Sequence, residues 1–372
     1  MLDIKLKLRP GHTSERDWMD PSPLRTLFWN VTYSCNFRCP VCFTDAGAPA
    51  PNELTTEESL AVVRKAGRSG IRDVLISGGE PFMRSDLIVI LSALAEFNIS
   101  VRIASNGSLL DDHVLDELRR RTLTKSFQIS LDSIDPALYA KLHGTSPDLL
   151  ETILENLKRV QTHGFHTTVS ARLTPETLPG IPSLLDMANQ EGWPTLTLHI
   201  PVHSNRISGA YGQDEDILGL LGPTLEHFMN LPQRWLIETY IPWAPYHPLM
   251  ARAEKRVGVV HRGCRAGRDR LTINPTGGVS PCVCLDLPAA TIGNVLQSEL
   301  LDLFENSALC RMMRHPAEHG ICTDCPMIEE CGGGCRAAAM ALAGRLDGPD
   351  SSCPVWKKRA SRRNQVAPGD LE

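Results

Sequence analysis

The sequence predicts an α/β protein: a partial (β/α)6 barrel over residues 27–202, then a small cysteine-rich domain over 263–356. Three observations predict it. Short apolar, β-branched runs alternate with helical stretches between residues 27 and 200. The sequence signals that end these runs are turn residues, so loops carrying polar groups follow the strands. The twelve cysteines fall into two groups: three at Cys35, Cys39 and Cys42, and nine from Cys264 to Cys353.

Each element has its own signal. LFWNVTY (27–33) is a strand, followed at once by the first cysteines in a loop. Thr55 and Glu58 have capping-box spacing, and LAVVRKAG continues that helix. VLIS (74–77) is a buried strand stopped by Gly78-Gly79. A helix over 85–97, a strand VRIAS (101–105), a helix over 113–121 and a strand FQISL (127–131) follow. Leu149, Leu150, Ile153, Leu154, Leu157 and Val160 share one helical face, and Gly164 ends that helix. TTVSARL (167–173), a helix over 180–191 and LTLHI (196–200) complete about six units. Six units make a partial barrel, whose chemistry is expected at the C-terminal ends of the strands. Residues 1–26 are expected to be a polar, proline-bearing lead-in, too short for an N-terminal peptide-recognition wing. Residues 203–262 are expected to be an aromatic and proline-rich connector, densest in WLIETYIPWAPYHP (235–248), and 357–372 a basic tail.

With 372 residues, 42% of them hydrophobic, the chain is long enough for more than one packed unit. Its net charge of −5 gives no general attraction to nucleic acid or an anionic membrane. No signal-peptide core and no spanning apolar stretch are visible, so a soluble, cytoplasmic protein is expected. In that compartment twelve cysteines point to metal or catalytic use rather than to disulfides.

Cys35-x3-Cys39-x2-Cys42 supplies three soft thiolate ligands in a loop after a strand. Structural zinc prefers four protein ligands, whereas a four-iron cluster on three cysteines keeps one iron open. SCNFRCPVCF (34–43) resembles the cluster loop of the radical S-adenosylmethionine (SAM) superfamily. The resemblance implies a TIM-like partial barrel in which Cys35, Cys39 and Cys42 hold a [4Fe–4S] cluster. It further implies that SAM chelates the open iron and is cleaved by one electron to methionine and a 5′-deoxyadenosyl radical, which takes a hydrogen from an unactivated C–H bond. Val41 stands where the family usually has an aromatic residue beside the adenine. SGGEP (77–81) resembles the motif that binds the SAM amino group, which assigns roles to Gly78, Gly79 and Glu80. By the same resemblance Ser130 and Asp132 lie where relatives contact the SAM ribose. Arg172 is of a type that pairs with the SAM carboxylate, or is an ordinary ion-pair arginine. His199 and Ile200 end the sixth strand near the expected adenine, with His199 expected to be hydrogen-bonded rather than a base.

The second group runs Cys264-x12-Gly277-x4-Cys282, then Cys322-x2-Cys325-x5-Cys331-x3-Cys335 and, after seventeen residues, Cys353. Zinc accounts for one CxxC but poorly for seven ordered positions. The order resembles the SPASM domain, which holds auxiliary [4Fe–4S] clusters. That resemblance implies one cluster on Cys322, Cys325, Cys331 and Cys353, and another, nearer the barrel, on Cys264, Cys282 and Cys335. Cys284 either completes the second set or leaves it open, and Cys310 is expected to be a buried structural cysteine. LTINPTGGVSPCVCL (271–285) resembles the domain's β-hairpin, and GNV (293–295) the start of the helical segment after it.

The function expected is therefore a radical SAM/SPASM enzyme, drawing electrons from a flavodoxin- or ferredoxin-like donor. Its substrate is a ribosomally made peptide or, alternatively, a small-molecule antibiotic or cofactor precursor. No nucleic-acid or membrane partner is expected. Two other classes compete: an iron–sulfur electron carrier or scaffold, against which SGGEP counts, and a zinc-binding interaction module.

Overall fold

The computed structural model describes residues 2–8, 15–16, 23–201, 217–231, 235–242, 244, 247–261, 263–350, 353 and 355–358. Six parallel strands form its centre: β3 (Thr26–Asn30), β4 (Asp73–Ser77), β5 (Ser100–Ser105), β6 (Thr124–Ser130), β7 (His166–Arg172) and β8 (Thr195–Ile200). They pair in chain order. Helices α1 (Thr56–Arg68), α2 (Leu87–Glu96), α3 (Asp112–Arg121), α4 (Pro136–His143), α5 (Leu149–Thr162) and α6 (Ile181–Gln190) supply the crossovers. The six expected units are all present, with strand ends within a few residues of their sequence signals. Thr55 and Glu58 close the expected capping box at the start of α1. The α4 helix was not expected; Asp135 caps it and its last turn reaches the cysteine loop.

The sheet continues beyond the barrel in both directions. Past β8, strand β1 (Leu2–Leu8) pairs antiparallel with β8 and with β9 (Trp235–Thr239). Strand β10 (Gly258–His261) and the two-residue β2 (Glu15–Arg16) complete that edge. Part of the presumed lead-in is thus a strand, because apolar Ile4 and Leu6 alternate with lysines and bury one face. The expected irregular connector likewise contains two sheet strands and three helices, α7 (Ile217–Leu220), α8 (Gly222–Met229) and α9 (Pro248–Glu254). Its remaining residues, 202–216, 232–234, 243, 245, 246 and 262, lie outside the described residues, as does the tail from 359 on.

At the other edge, β11 (Arg270–Ile273) pairs parallel with β3, and the hairpin partner β12 (Gly278–Ser280) pairs with β13 (Gly293–Asn294). The Asn274 carboxamide oxygen accepts from the Thr276 and Gly278 amides and shapes the expected turn. GNV begins as a third strand rather than a helix; the helices start at α10 (Leu300–Asn306) and α11 (Ala308–Arg314). The hairpin is therefore an extension of the barrel sheet, and the Leu54 amide donates to Pro275 across the seam.

Candidate functional site: a three-thiol loop at the barrel mouth

A cavity of ≈ 200 Å³ opens at the C-terminal ends of the barrel strands. Cys35, Cys39 and Cys42 all line it, so the loop after β3 brings its three thiols to one space. All are free thiols, intermediate in exposure. Burial raises the pKa of Cys35 and pushes Cys39 up to about 11. The neutral thiol is thus favoured until a cationic iron centre takes the thiolate. Among the described residues no three His, Cys, Asp or Glu side chains converge as they would on one metal ion. A four-iron cube spaces its thiolates at its corners, wider than a single tetrahedral ion does, so this loop suits the larger group.

The loop is anchored on three sides. The Cys35 amide donates to Gly47 at 3.0 Å and the Gly47 amide to Tyr33 at 2.8 Å. Glu53 accepts from the Tyr33 amide at 2.6 Å and the Thr32 hydroxyl at 2.8 Å. At the far end the Arg38 amide donates to the His143 carbonyl, which caps α4 against the loop. His143 Nδ1 stands 3.7 Å from Cys39 Sγ.

Gly78 and Gly79 lie beneath the same loop. The Gly79 amide donates to the Thr32 carbonyl at 2.7 Å and the Glu80 amide to Ser34 at 2.8 Å. A Cβ on Gly79 would stand 2.1 Å from the Ser34 oxygen, and Gly78 has φ +138°. Both glycines are required by the close approach of the two backbones. The Glu80 carboxylate is fully buried and accepts from Ser105 Oγ at 2.9 Å, the Asn106 amide at 2.7 Å and the Phe82 amide at 3.3 Å. Burial raises its pKa to about 7, against these three hydrogen bonds. Its side chain thus ties β4 to β5, while Gly78 and Gly79 line the cavity.

Ser130, Asp132 and Arg172 also line the cavity. Arg172 Nε donates to Asp132 Oδ2 at 2.8 Å, and Nη2 contacts the same oxygen. The rest of the guanidinium donates to the Val41 carbonyl in the cysteine loop and to Leu142 at the end of α4. Asp132 also meets His143 Nε2 at 3.0 Å. Burial opposes ionisation of Asp132, but the Arg172 charge and the His143 contact outweigh it and hold the carboxyl far below the usual range. Asp132, placed by resemblance near the SAM ribose, is therefore joined in one ion pair to Arg172, for which an ion pair was one of the two readings of its side chain.

His199 Nε2 stands 3.1 Å from Gln128 Nε2, so His199 is hydrogen-bonded, as expected. Val41 and Phe43 both line the cavity. The strand residues that line the cavity include polar Asn30, Ser77, Gln128 and Ser170 beside apolar Phe28, Leu75 and Ala104. Asn30 is fully buried, with neither its amide nitrogen nor its oxygen partnered among the described residues. The sequence reading passed over Asn30, although its alternation with Phe28 in an apolar run was the available signal.

The radical SAM superfamily model matches residues 29–188, and that of an iron–sulfur cluster-binding domain, SPASM, matches 264–326. The chain belongs to the radical SAM superfamily. Its cofactors are [4Fe–4S] clusters and SAM, and it is an enzyme. It is 28% identical to the mycofactocin maturase MftC of Mycobacterium tuberculosis over 88% of this chain and 82% of that one. It is 25% identical to an AdoMet-dependent heme synthase of Oleidesulfovibrio alaskensis over 92% of each. Streptococcus suis SuiB bound to its precursor peptide SuiA shares the fold, with TM-score 0.64 and 18% identity over 89% of this chain and 76% of that one.

In the SPASM region the structure forms two groups of thiols. Cys322, Cys325, Cys331 and Cys353 lie close enough to act on one another's charge. Cys335 acts with Cys264 and Cys282, and burial with the Asp350 charge pushes it up to about 12. Asp350 stands between the groups: its carboxylate accepts from the Cys335 amide at 2.7 Å and its carbonyl from the Cys353 amide at 3.0 Å. Cys310 is fully buried, the structural position expected of it.

Proposed function

We propose that this radical SAM/SPASM enzyme reductively cleaves SAM and abstracts hydrogen from an unactivated C–H of a ribosomally made peptide. The observation that carries the reading is the convergence of three thiols and the Gly78-Gly79 backbone on one largely apolar cavity that also holds the unpartnered Asn30 carboxamide. When bound, the cluster on Cys35, Cys39 and Cys42 supplies the electron and the open iron for SAM cleavage. The chain's own residues do the rest. Gly78 and Gly79 offer backbone groups to the SAM amino group, Ser130 its hydroxyl to the ribose, and Val41 and Phe43 an apolar wall. Arg172 and Asp132 fix the cysteine loop against α4, so that the thiols keep their spacing. The buried Asn30 carboxamide needs a partner that both donates and accepts. A peptide unit has that chemistry, and relatives that mature peptides point the same way.

The similarity to heme synthases supports a second reading, in which the substrate is a small-molecule precursor. Both readings place the protein in the cytoplasm with a flavodoxin- or ferredoxin-like donor. The deciding experiment is anaerobic reconstitution with SAM and reductant, with mass analysis of synthetic peptides encoded by short reading frames beside the gene. A peptide that loses hydrogen mass in step with 5′-deoxyadenosine formed from SAM supports the first reading. Release of 5′-deoxyadenosine coupled only to a small-molecule precursor supports the second.

A further inference from the structure

The loop after β12 carries two thiols where the resemblance assigns one. Cys282 opens a single 3-10 turn, Val283–Leu285, and its Sγ accepts from the Cys284 amide at 3.4 Å. Cys282 is 9% exposed and Cys284 6%. Cys335, 5% exposed, acts on both charges, and Cys264 acts on Cys335. Four thiols from three separated segments therefore share one neighbourhood. Cys310, the other unassigned cysteine, does not join them: its thiol responds to Ser307 and Arg314, and its backbone packs beside Gly267.

Cys284 has a second neighbour. It lines the barrel-mouth cavity together with the three N-terminal thiols. It thus stands in the wall between the barrel cavity and the Cys264–Cys282–Cys335 group.

A four-iron cube takes one ligand per iron. Three cysteines leave one iron exposed to whatever fills the fourth position, and in a buried wall water is a costly occupant. A fourth buried thiol, two residues from Cys282 and held there by its own backbone amide, answers that need. We propose that Cys284 is the fourth thiolate of the barrel-side auxiliary cluster, closing it with Cys264, Cys282 and Cys335. Each of the four thiols gives up its proton as iron binds, so assembly is favoured by rising pH. The inference rests on the SPASM reading of this region. It adds that the cavity is met there by a protein ligand of a closed cluster, not by an open iron.

The test uses the full chain with Cys35, Cys39 and Cys42 replaced by Ala, so that the remaining iron is auxiliary. This parent, its Cys284→Ala and its Cys310→Ala derivatives are reconstituted anaerobically with iron and sulfide. Iron content and Mössbauer spectra are then compared. Cys284→Ala is expected to lose about half of the auxiliary iron, or to hold one cluster with a distinct iron site, while Cys310→Ala matches the parent. A Cys284→Ala spectrum and iron content equal to the parent's overturn the proposal. Should that variant fold poorly, Cys284→Gly with added 2-mercaptoethanol replaces it: restoration of the parent spectrum by the thiol supports ligation, and a thiol-independent parent spectrum opposes it. A parent that takes up no auxiliary iron defeats the SPASM reading itself, a result distinct from equality between parent and variant.

Discussion

The barrel mouth and the C-terminal cysteine region both present sets of thiols, but they hold them by different means. The barrel loop hangs from strands with fully buried apolar side chains, Val74, Ile76, Val101, Ile103 and Phe127 among them. Its anchors are hydrogen bonds from β4, β7 and α4, present without any metal. From Arg314 to Gly332, by contrast, no side chain with described exposure is buried, and the regular elements are single turns. A segment with so little core gains its order from what its cysteines bind. The barrel loop is held by the protein's own hydrogen bonds, whereas residues 314–332 have no buried side chain of described exposure to hold them.

Removing iron should break this comparison most visibly. Hydrogen exchange of chelator-stripped protein is expected to accelerate by orders of magnitude in residues 316–335 while α1, α2 and the β4–β6 core stay protected. Equal protection in both regions would show that the C-terminal region has a metal-independent core. Next in size is the Asp132–Arg172 pair. Asp132→Asn leaves the guanidinium without its buried counter-ion and should cost about 3–5 kcal/mol in denaturant unfolding. Because the folded-state pKa of Asp132 is depressed, its contribution is present above the ordinary carboxylate range and lost as pH falls below it.

Glu80 has the opposite sign. Its folded-state pKa is raised from 4.5 to about 7, so folded protein holds this proton more tightly than unfolded chain. The wild type should lose about 3 kcal/mol of stability between pH 4.5 and 7 that Glu80→Gln does not lose. Parallel stability–pH curves would contradict the burial argument. The smallest effect is expected at the α1 cap, where Thr55→Ala removes the hydroxyl that accepts from the Glu58 amide, at a cost of about 1 kcal/mol, and leaves the backbone arm of the capping box in place. That change should leave cluster content untouched.

Much of the molecule was legible in its residues, and the failures have physical causes. The six barrel strands are apolar runs ended by glycine or polar turns, so both their number and order could be inferred. LDIKLKL carries the alternation of a half-buried strand, but its lysines and the polar stretch after it suggested a lead-in. WLIET and GVVH were hidden by the prolines and aromatics around them. At the site, the cysteine spacings and Gly-Gly-Glu stand in sequence order and were visible. The partnership of Asp132, His143 and Arg172 was not, because it depends on neighbouring strands and the end of a helix meeting across the chain. Asn30 became notable only when folding left its amide buried without a partner.

The central claim is that Cys35, Cys39 and Cys42 present an iron that binds SAM. Electron paramagnetic resonance of the anaerobically reduced enzyme tests it most directly, with and without SAM. The account predicts that SAM perturbs the signal of the wild type and leaves that of the Cys35→Ala/Cys39→Ala/Cys42→Ala variant unchanged. The same perturbation in that variant would contradict it.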